Sequence, residues 1–412
     1  MPKFTPDRFP PGFFDLPAGA GEALPLDIIE RWRGGAPTRD AALELLSAHT
    51  LRGTVVASDA AGLTRLSRER PLVEILALIN RPKELIHAWG RASGGRALGT
   101  WAADNTLMFY GEDVPPAELV AMHRGLQKAV AGVSEVGIGF CAHRGVFYYL
   151  GEGLYGPDAD RVEQVAEEHT EPGELLVTDQ LVAALPAGHG FTLSRREDLQ
   201  GAFGTVYRVT GGRASQVSGA SDFRYPAPFS DDFYDGLHQY SSGENPAVLP
   251  RPAYRDAAVV LVERERDDPD IPEIALLNDL ALSAAMTRIA RDLLGTHGGT
   301  EVKTGGLIGI YLFDECAAAA AFAQEFRRVF AERGVAIKAG IDAGEVLLFD
   351  LGPGRRDIAG SPVNVASKLA QDLGEFGRIY LSEEATRRAR LERRSQTIRL
   401  DIAGTEMDTR TL

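Results

Sequence analysis

Two aspartates stand where short apolar runs meet predicted turns, a position suited to metal binding. Asp59 closes the run 54–58, and Asp104 lies at the turn of a predicted hairpin, 95–110. If these strands are neighbours, both carboxylates can reach one point and bind two Mg²⁺ (or Mn²⁺) ions, because hard cations prefer oxygen ligands. Such ions would neutralise a triphosphate and activate a hydroxyl group. Taken singly, either aspartate is more simply explained as a turn or helix-cap residue.

The segment after Asp59 is suited to binding a phosphate group. Ala-Gly-Leu-Thr leads into a predicted helix, and the Thr64 hydroxyl stands near its start. The first N–H groups of a helix have no partner inside the helix, so they can donate hydrogen bonds to an anion. We therefore expect Thr64 to contribute to substrate binding.

The elements that position these residues occur twice in the chain. The segment around Asp59 has a related copy about 200 residues later, which ends at Glu263. A repeat of this length indicates two similar domains. Alignment by eye gives an offset between 201 and 204 for five pairs: Asp59 with Glu263, Asp104 with Gly306, Gly139 with Gly340, Gly173 with Gly377 and Gly201 with Gly404.

Each copy alternates short Val-rich runs with amphipathic stretches in the same order. The pattern predicts a strand, a helix, a hairpin, a second helix, a strand, a third helix and a strand. Apart from the first helix, the segments of the first copy are 54–58, 95–110, 116–133, 136–142, 160–169 and 174–178, and those of the second copy are 258–263, 300–313, 317–333, 336–343, 363–373 and 378–382. This order predicts an α+β, ferredoxin-like (βαββαβ-type) sheet with helices on one face.

Four segments follow from the repeat and from composition. Residues 1–50 are an N-terminal extension, and 51–212 form the first domain. Residues 213–254 are rich in Ser, Gly, Pro, Tyr and Asp, so we expect a linker whose aromatic residues leave it partly docked. The second domain occupies 255–412.

Composition excludes several classes of function. The chain has 412 residues, 44% hydrophobic and 25% charged, with a formal net charge of −14. An acidic surface repels phosphate backbones, so we expect no nucleic-acid binding. We also expect a cytoplasmic protein, because the sequence has no secretion signal and no apolar run long enough to span a membrane. The two cysteines, Cys141 and Cys316, show no metal-ligand spacing, and a reducing compartment is the simplest interpretation of them.

Three segments together resemble the class III nucleotidyl cyclases, the adenylate and guanylate cyclase family. They are Val-Val-Ala-Ser-Asp-Ala-Ala-Gly-Leu-Thr-Arg-Leu-Ser at 55–67, the hairpin 103–110, and Asp-Ile-Ala-Gly-Ser-Pro-Val-Asn-Val-Ala-Ser-Lys-Leu-Ala at 357–370. The last is the strongest signal, and the similarity covers both copies. The resemblance implies two class III cyclase domains that form an intramolecular pseudo-heterodimer, so that a monomer suffices for catalysis.

The resemblance also assigns roles to individual residues. In the first copy, Asp59 and Asp104 match the metal-binding aspartates, and Arg144 matches an arginine that contacts the triphosphate. In the second copy, Lys303 and Asp357 match the residues that read adenine, Asn364 matches the asparagine that orients the ribose, and Lys368 stands where the family usually has an arginine for the transition state. These residues imply one site that binds ATP.

The complementary residues are missing from each copy. By the same alignment, the second copy has Glu263, Gly306 and Glu345 in place of Asp59, Asp104 and Arg144, and the first copy has Trp101, Gly153, Asp160 and Gln164 in place of Lys303, Asp357, Asn364 and Lys368. We expect the second site to be non-catalytic, either a regulatory pocket for a small molecule or protein or a filled interface.

The function implied is an adenylate cyclase that converts ATP to 3′,5′-cyclic AMP and pyrophosphate at a single two-metal site. Two alternatives stay open. A degenerate cyclase would serve as a nucleotide-binding sensor or scaffold, which is favoured by Lys368 in the arginine position. A cyclase for another nucleoside triphosphate, GTP or a pyrimidine nucleotide, is the third possibility.

Overall fold

The computed structural model describes most of the chain as helix, strand or ordered loop. The described residues are 9, 13, 24–60, 70, 72–101, 105–151, 153–199, 203–243, 254–267, 270–350, 356–391, 396–402 and 405–412. The chain divides into two compact units. We call residues 47–251 the first domain, and residues 252–412 together with 1–46 the second domain.

The first domain is built on one mixed sheet with the strand order β2-β3-β1-β4-β6-β8-β7, and β5 pairs with β4. Only β4 and β6 run parallel. The strands are β1 (Thr50–Ala60), β2 (Gly95–Ala97), β3 (Thr106–Gly111), β4 (Ile138–Leu150), β5 (Gly153–Tyr155), β6 (Leu175–Thr178), β7 (Thr192–Arg195) and β8 (Val206–Gly211). The helices are α3 (Leu72–Ala92), α4 (Pro116–Ala131), α5 (Pro157–His169), α6 (Asp179–Ala183) and α7 (Asp231–Ser241).

The second domain repeats this topology with the order β10-β11-β9-β12-β14-β16-β15, and β13 pairs with β12. Its strands are β9 (Tyr254–Arg264), β10 (Thr300–Gly305), β11 (Ile308–Phe313), β12 (Ile337–Asp350), β13 (Arg356–Ala359), β14 (Ile379–Leu381), β15 (Gln396–Ile402) and β16 (Thr405–Thr411). Its helices are α1 (Leu26–Gly34), α2 (Arg39–Leu46), α8 (Pro272–His297), α9 (Cys316–Ala331), α10 (Ser361–Ser367) and α11 (Glu383–Ala389). The prediction of two similar α+β domains is confirmed.

Helices cover both faces of each sheet, so the prediction of helices on one face is wrong. In the first domain, Val55, Ala57 and Cys141 pack against helix α5. On the other face, His123 of α4 contacts the rings of Tyr110 and Phe140. The reason is that the central strands are apolar at successive positions, which is typical of strands buried on both faces.

Strand pairing corrects part of the repeat alignment. Asp59 pairs with Gly139, whereas Glu263 pairs with Lys338, so Gly139 corresponds to Lys338 and not to Gly340. At the hairpin, Thr106 pairs with Ser58 and Gly309 pairs with Val262, so Thr106 corresponds to Gly309; Asp104 itself lies outside the described residues. The match of Gly173 with Gly377 holds, because both have positive φ and each donates its N–H to the carbonyl of the first residue of β4 or β12. Gly201 and Gly404 lie outside the described residues.

Two segments outside the repeats pack against them. Helices α1 and α2 lie on the second domain, where Trp32 Nε1 donates to Asn278 Oδ1 of α8 at 2.8 Å. Residues 213–243, which we call the strap, pack on the first domain, and helix α7 of the strap lies against α3. Among the described residues, none of the helices has the length and apolar character needed to cross a bilayer.

Candidate functional site

Asp59 lies at the end of β1, half-buried, on the same face of the sheet as Val55 and Ala57. The residue opposite it, Gly139, contributes no side chain there. A carboxylate at the end of a central strand fits a hard divalent cation. Asp104 and Thr64 lie outside the described residues, and within the described part of the chain no group of three His, Cys, Asp or Glu side chains forms a metal cluster.

Arg144 and Asp59 do not lie side by side in the first domain. In the unbroken ladder of β1 and β4, Arg144 pairs with Thr54, and Asp59 pairs with Gly139 five residues away. Because side chains alternate along a strand, Arg144 projects from the opposite face of the sheet. There it lies 3.4 Å from Glu112 Oε1. The pleat of the strand therefore turns the guanidinium away from Asp59.

The same ladders correct two further matches. Gly145 pairs with Gly53, and Gly344 pairs with Ala257, so Arg144 corresponds to Ala343 and not to Glu345. Lys303 pairs with Ile310, and in the first domain Leu98 donates its N–H to Leu107. The counterpart of Lys303 is therefore Leu98 and not Trp101, which is buried and stacked on Tyr225.

Lys303 and Asp357 meet in the second domain, although 54 residues separate them in sequence. Lys303 Nζ lies 3.0 Å from Asp357 Oδ1, and the same oxygen accepts the N–H of Ile358 at 2.9 Å. Strand β10 carries the lysine, and β13 carries the aspartate. The lysine side chain is half-exposed, whereas that of Asp357 is mostly buried. The pair thus presents a cationic donor beside an anionic acceptor at an accessible position.

Asn364 and Lys368 lie one helical turn apart at the end of helix α10. Asn364 is exposed, and Lys368 Nζ lies 3.6 Å from Asp372. The helix changes there to a π-helical turn, Lys368–Asp372, in which the N–H of Leu373 bonds to the carbonyl of Lys368. In the first domain, the equivalent helix α5 stays α-helical to His169. Wider turns of this kind are frequent at functional sites and alter the direction of their side chains.

The second domain carries a lysine opposite Glu263, the counterpart of Asp59. Lys338 Nζ lies 3.3 Å from Glu263 Oε2 and donates to the carbonyl of Gln371 at 3.0 Å. Burial raises the pKa of Glu263, and the neighbouring ammonium opposes that rise. Lys338 was not predicted as a site residue from the sequence. The feature that could have indicated it is a charged residue at an inward position of an otherwise apolar strand, but the strand register is needed to know that this position points inward.

Helix α5 of the first domain is acidic where α10 of the second domain has Asn364 and Lys368. Asp160 and Gln164 occupy the corresponding positions. Burial, together with the charges of Glu167 and Asp160, raises the pKa of Glu163 to about 8. Neither Asp160 nor Gln164 supplies a cation for a phosphate group, and that a second site would be non-catalytic stays a prediction.

His143 also differs from its expected environment. The sequence shows no acidic neighbour at short range, yet the ring is fully buried, with Nε2 3.0 Å from Asp158 Oδ1 and Nδ1 2.8 Å from Thr178 Oγ1. The N–H of Val146 also donates to Asp158 at 2.7 Å. This network fixes the start of α5 against the sheet. In the second domain the equivalent polar contact joins Asp342 and Ser382.

Comparison with solved structures identifies the fold. No protein-family model matches the sequence, and no curated protein matches it with significance. A class III adenylyl cyclase-like ATP-binding protein from Pseudomonas aeruginosa superposes with a TM-score of 0.53 and 10% identity, over 82% of this chain and 85% of that chain.

Two single-domain structures also match. An adenylate/guanylate cyclase/hydrolase from Silicibacter pomeroyi has 22% identity and a TM-score of 0.33, over 39% of this chain and 98% of its own. The adenylyl cyclase CyaB from P. aeruginosa has 17% identity and a TM-score of 0.32, over 39% and 95%. The match over 82% of the chain and the repeated sheet topology show that the chain has the fold of the class III nucleotidyl cyclases.

Proposed function

We propose that this protein is an adenylate cyclase with one composite site. The first domain would contribute Asp59 and Asp104 as ligands for two Mg²⁺ or Mn²⁺ ions, and the second domain would contribute the nucleoside-binding residues. Bound divalent ions would neutralise triphosphate charge and lower the pKa of the ribose 3′-hydroxyl. The observation that carries the proposal is the contact between Lys303 and Asp357.

The Lys303–Asp357 pair matches the edge of adenine. Adenine offers a ring nitrogen that accepts a hydrogen bond beside an amino group that donates one. A lysine ammonium donates and a carboxylate accepts, so both groups find partners. Guanine has the reverse pattern at these two positions, with a ring N–H and a carbonyl oxygen. With guanine, the lysine ammonium would face the ring N–H, another donor, and the Asp357 carboxylate would face the carbonyl oxygen, another acceptor. This opposition disfavours GTP.

The remaining residues of the second domain would orient the sugar and meet developing charge. Asn364 would hold the ribose so that its 3′-oxygen lies in line with the α-phosphorus. The new bond would form between these two atoms as the bond from the α-phosphorus to the bridging oxygen breaks; pyrophosphate would leave, and the hydroxyl proton would pass to solvent. Lys368 would stabilise negative charge on the phosphate oxygens. Arg144 has no part in this scheme, because it projects from the opposite face from Asp59.

A second candidate function is nucleotide binding without turnover. Lys368 provides a single point charge in place of a forked guanidinium, and it is engaged with Asp372. The solved structure that matches most of the chain is described as a cyclase-like ATP-binding protein. A sensor or scaffold that binds ATP would retain Lys303 and Asp357 without needing fast chemistry.

Incubation of the purified full chain with ATP, GTP, CTP and UTP, with Mg²⁺ or Mn²⁺, distinguishes these functions. Chromatography should show cyclic AMP and pyrophosphate from ATP. Asp59→Asn should lower the rate by about 100-fold or more, since it removes a metal ligand, and Glu263→Gln should leave it within about threefold. Saturable ATP binding without product would instead support the sensor, and a cyclic product from another nucleotide would support the third alternative.

A further inference from the structure

A cavity of about 630 Å³ lies wholly within the first domain, between the strap and the edge of the sheet. Strand β2 and the residues after it form one wall, the C-terminal half of α3 forms a second, and strap residues 222–231 form the third. Its volume falls within the usual range of sites for small organic ligands. None of the residues assigned to nucleotide chemistry lines it.

The strap wall is fixed by a buried carboxylate. Glu84 of α3 is fully buried, and its Oε1 accepts hydrogen bonds from Tyr234 OH at 3.1 Å and from His238 Nδ1 at 2.6 Å, both on strap helix α7. Asn80 Nδ2 and Arg81 also bond to this carboxylate, at 2.9 and 3.0 Å. A buried carboxylate satisfied in this way holds its partners in one arrangement, so the cavity is preformed.

The cations of the cavity differ in whether a carboxylate already neutralises them. Arg91 lies 3.5 Å from Asp222, and Arg224 pairs with Asp231. Arg96 has no carboxylate partner among the described residues. Its guanidinium lies 5.6 Å from the ring centroids of both Phe109 and Tyr149, an arrangement that orients the group without neutralising it.

Aromatic side chains complete the lining. The rings of Tyr149, Tyr225 and Phe229 line the cavity, together with the polar side chain of Thr100. His87 is buried beside them, its Nδ1 2.8 Å from the carbonyl of Asp222, and burial lowers its pKa. A neutral imidazole adds a polar edge but no charge, so Arg96 supplies the unpaired positive charge.

We infer that this cavity binds a small organic anion that carries a planar ring, with its carboxylate or phosphate group on Arg96 and its ring among the aromatic side chains. A guanidinium binds either anion through two parallel hydrogen bonds. The site is specific to the first domain. In the second domain Thr300 holds the position of Arg96, since these residues pair with the equivalent Leu312 and Phe109.

Calorimetric titration of the full chain with benzoate, phenyl phosphate and benzamide tests the inference. We expect saturable one-to-one binding of at least one anion and none of neutral benzamide; the two anions tell a carboxylate site from a phosphate site. Arg96→Gln should weaken binding by about tenfold or more, because it removes a charge-assisted contact. Arg195→Gln is the matched control, since Arg195 is a half-exposed arginine of the same domain that contacts Glu197.

Hydrogen exchange gives an independent readout. Amides of residues 222–231 should exchange more slowly in the presence of the bound anion, and this change should be absent in Arg96→Gln. Arg96→Lys keeps the charge but loses the planar fork, so its affinity for the anion should lie between that of the wild type and that of Arg96→Gln. Absence of saturable binding of both anions at about 10 mM, or unchanged binding by Arg96→Gln, would overturn the inference.

Discussion

Lys338 Nζ lies 3.3 Å from Glu263 Oε2, and the two residues face each other across strands β9 and β12. The same positions in the first domain hold Asp59 and Gly139. The second domain therefore places a lysine opposite its carboxylate, whereas the first domain has a glycine at that position. The two copies differ here in the residue that faces the carboxylate as well as in the change from Asp to Glu.

Lys338→Met should destabilise the second domain by about 2 kcal/mol, because it leaves the partly buried Glu263 carboxylate without its cation. Glu263→Gln in the same chain should restore most of this loss. Thermal unfolding of the two single variants and the double variant at pH 8 measures the coupling free energy. If the change in the free energy of unfolding of the double variant equals the sum of the changes in the two single variants, the contact between Lys338 and Glu263 contributes nothing. Arg378→Met, which changes an exposed cation paired with Glu375, is the control.

The Lys303–Asp357 pair should determine the choice of base. Asp357→Asn should reduce the affinity for ATP by about tenfold, since the carboxylate that accepts from the amino group becomes a weaker acceptor. Lys303→Glu combined with Asp357→Cys should raise the ratio of GTP to ATP turnover by about 100-fold. Competitive binding and product analysis with both nucleotides measure these changes. Asp372→Asn, on the neighbouring π-helical turn, should leave the ratio unchanged, and an unchanged ratio in the double variant would exclude base reading by this pair.

Lys368 should limit the rate of the proposed reaction. Lys368→Arg should raise kcat by about threefold to tenfold, because a guanidinium makes two hydrogen bonds to a phosphate where an ammonium makes a single point contact. Lys368→Ala should lower kcat by about 100-fold with little change in KM, as expected for an interaction made chiefly in the transition state. Steady-state kinetics with ATP measures both variants. Equal rates for all three proteins would remove Lys368 from the mechanism.

His123 should make the first domain sensitive to acid. Burial lowers the pKa of this histidine to about 4, and its Nδ1 lies 2.9 Å from the carbonyl of Leu119. The unfolded chain takes up a proton near pH 6.5, but the folded chain does so only near pH 4. As pH falls from 7 to 4, the free energy of unfolding should therefore drop by about 3 kcal/mol through this residue.

The variant His123→Phe, which retains a ring between Tyr110 and Phe140, should lack this contribution. Urea denaturation across that pH range compares the two proteins. Parallel pH profiles for the wild type and the variant would contradict the assignment. His189→Phe, a change on an exposed loop of the same domain, is the control.

Much of the fold could be predicted from the sequence. The repeated order of apolar runs and amphipathic stretches predicted two α+β sheets, because alternation of elements depends on local periodicity. Lys303 and Asp357, proposed together from a motif, lie in contact. Helices on both faces were missed, although apolar residues at successive positions of the central strands are typical of burial on both faces.

Residue matches across the repeat were less reliable, for a physical reason. Arg144 stands next to His143 in sequence, yet the pleat of the strand sends the two side chains to opposite faces. A shift of one or two residues in alignment therefore changes which side chain points at the site. Loop lengths between strands differ in the two copies, and only the hydrogen-bonded register shows where the shift occurs.

The sequence by itself determined the duplication, the order of the elements and the residue types available for nucleotide chemistry, because these depend on periodicity and local turn signals. Only the tertiary structure decided that Arg144 projects away from Asp59, that Lys338 neutralises Glu263 and that Glu84 holds the strap over a cavity. Those contacts join residues far apart in the chain, and their geometry depends on strand register and packing, which no local pattern specifies.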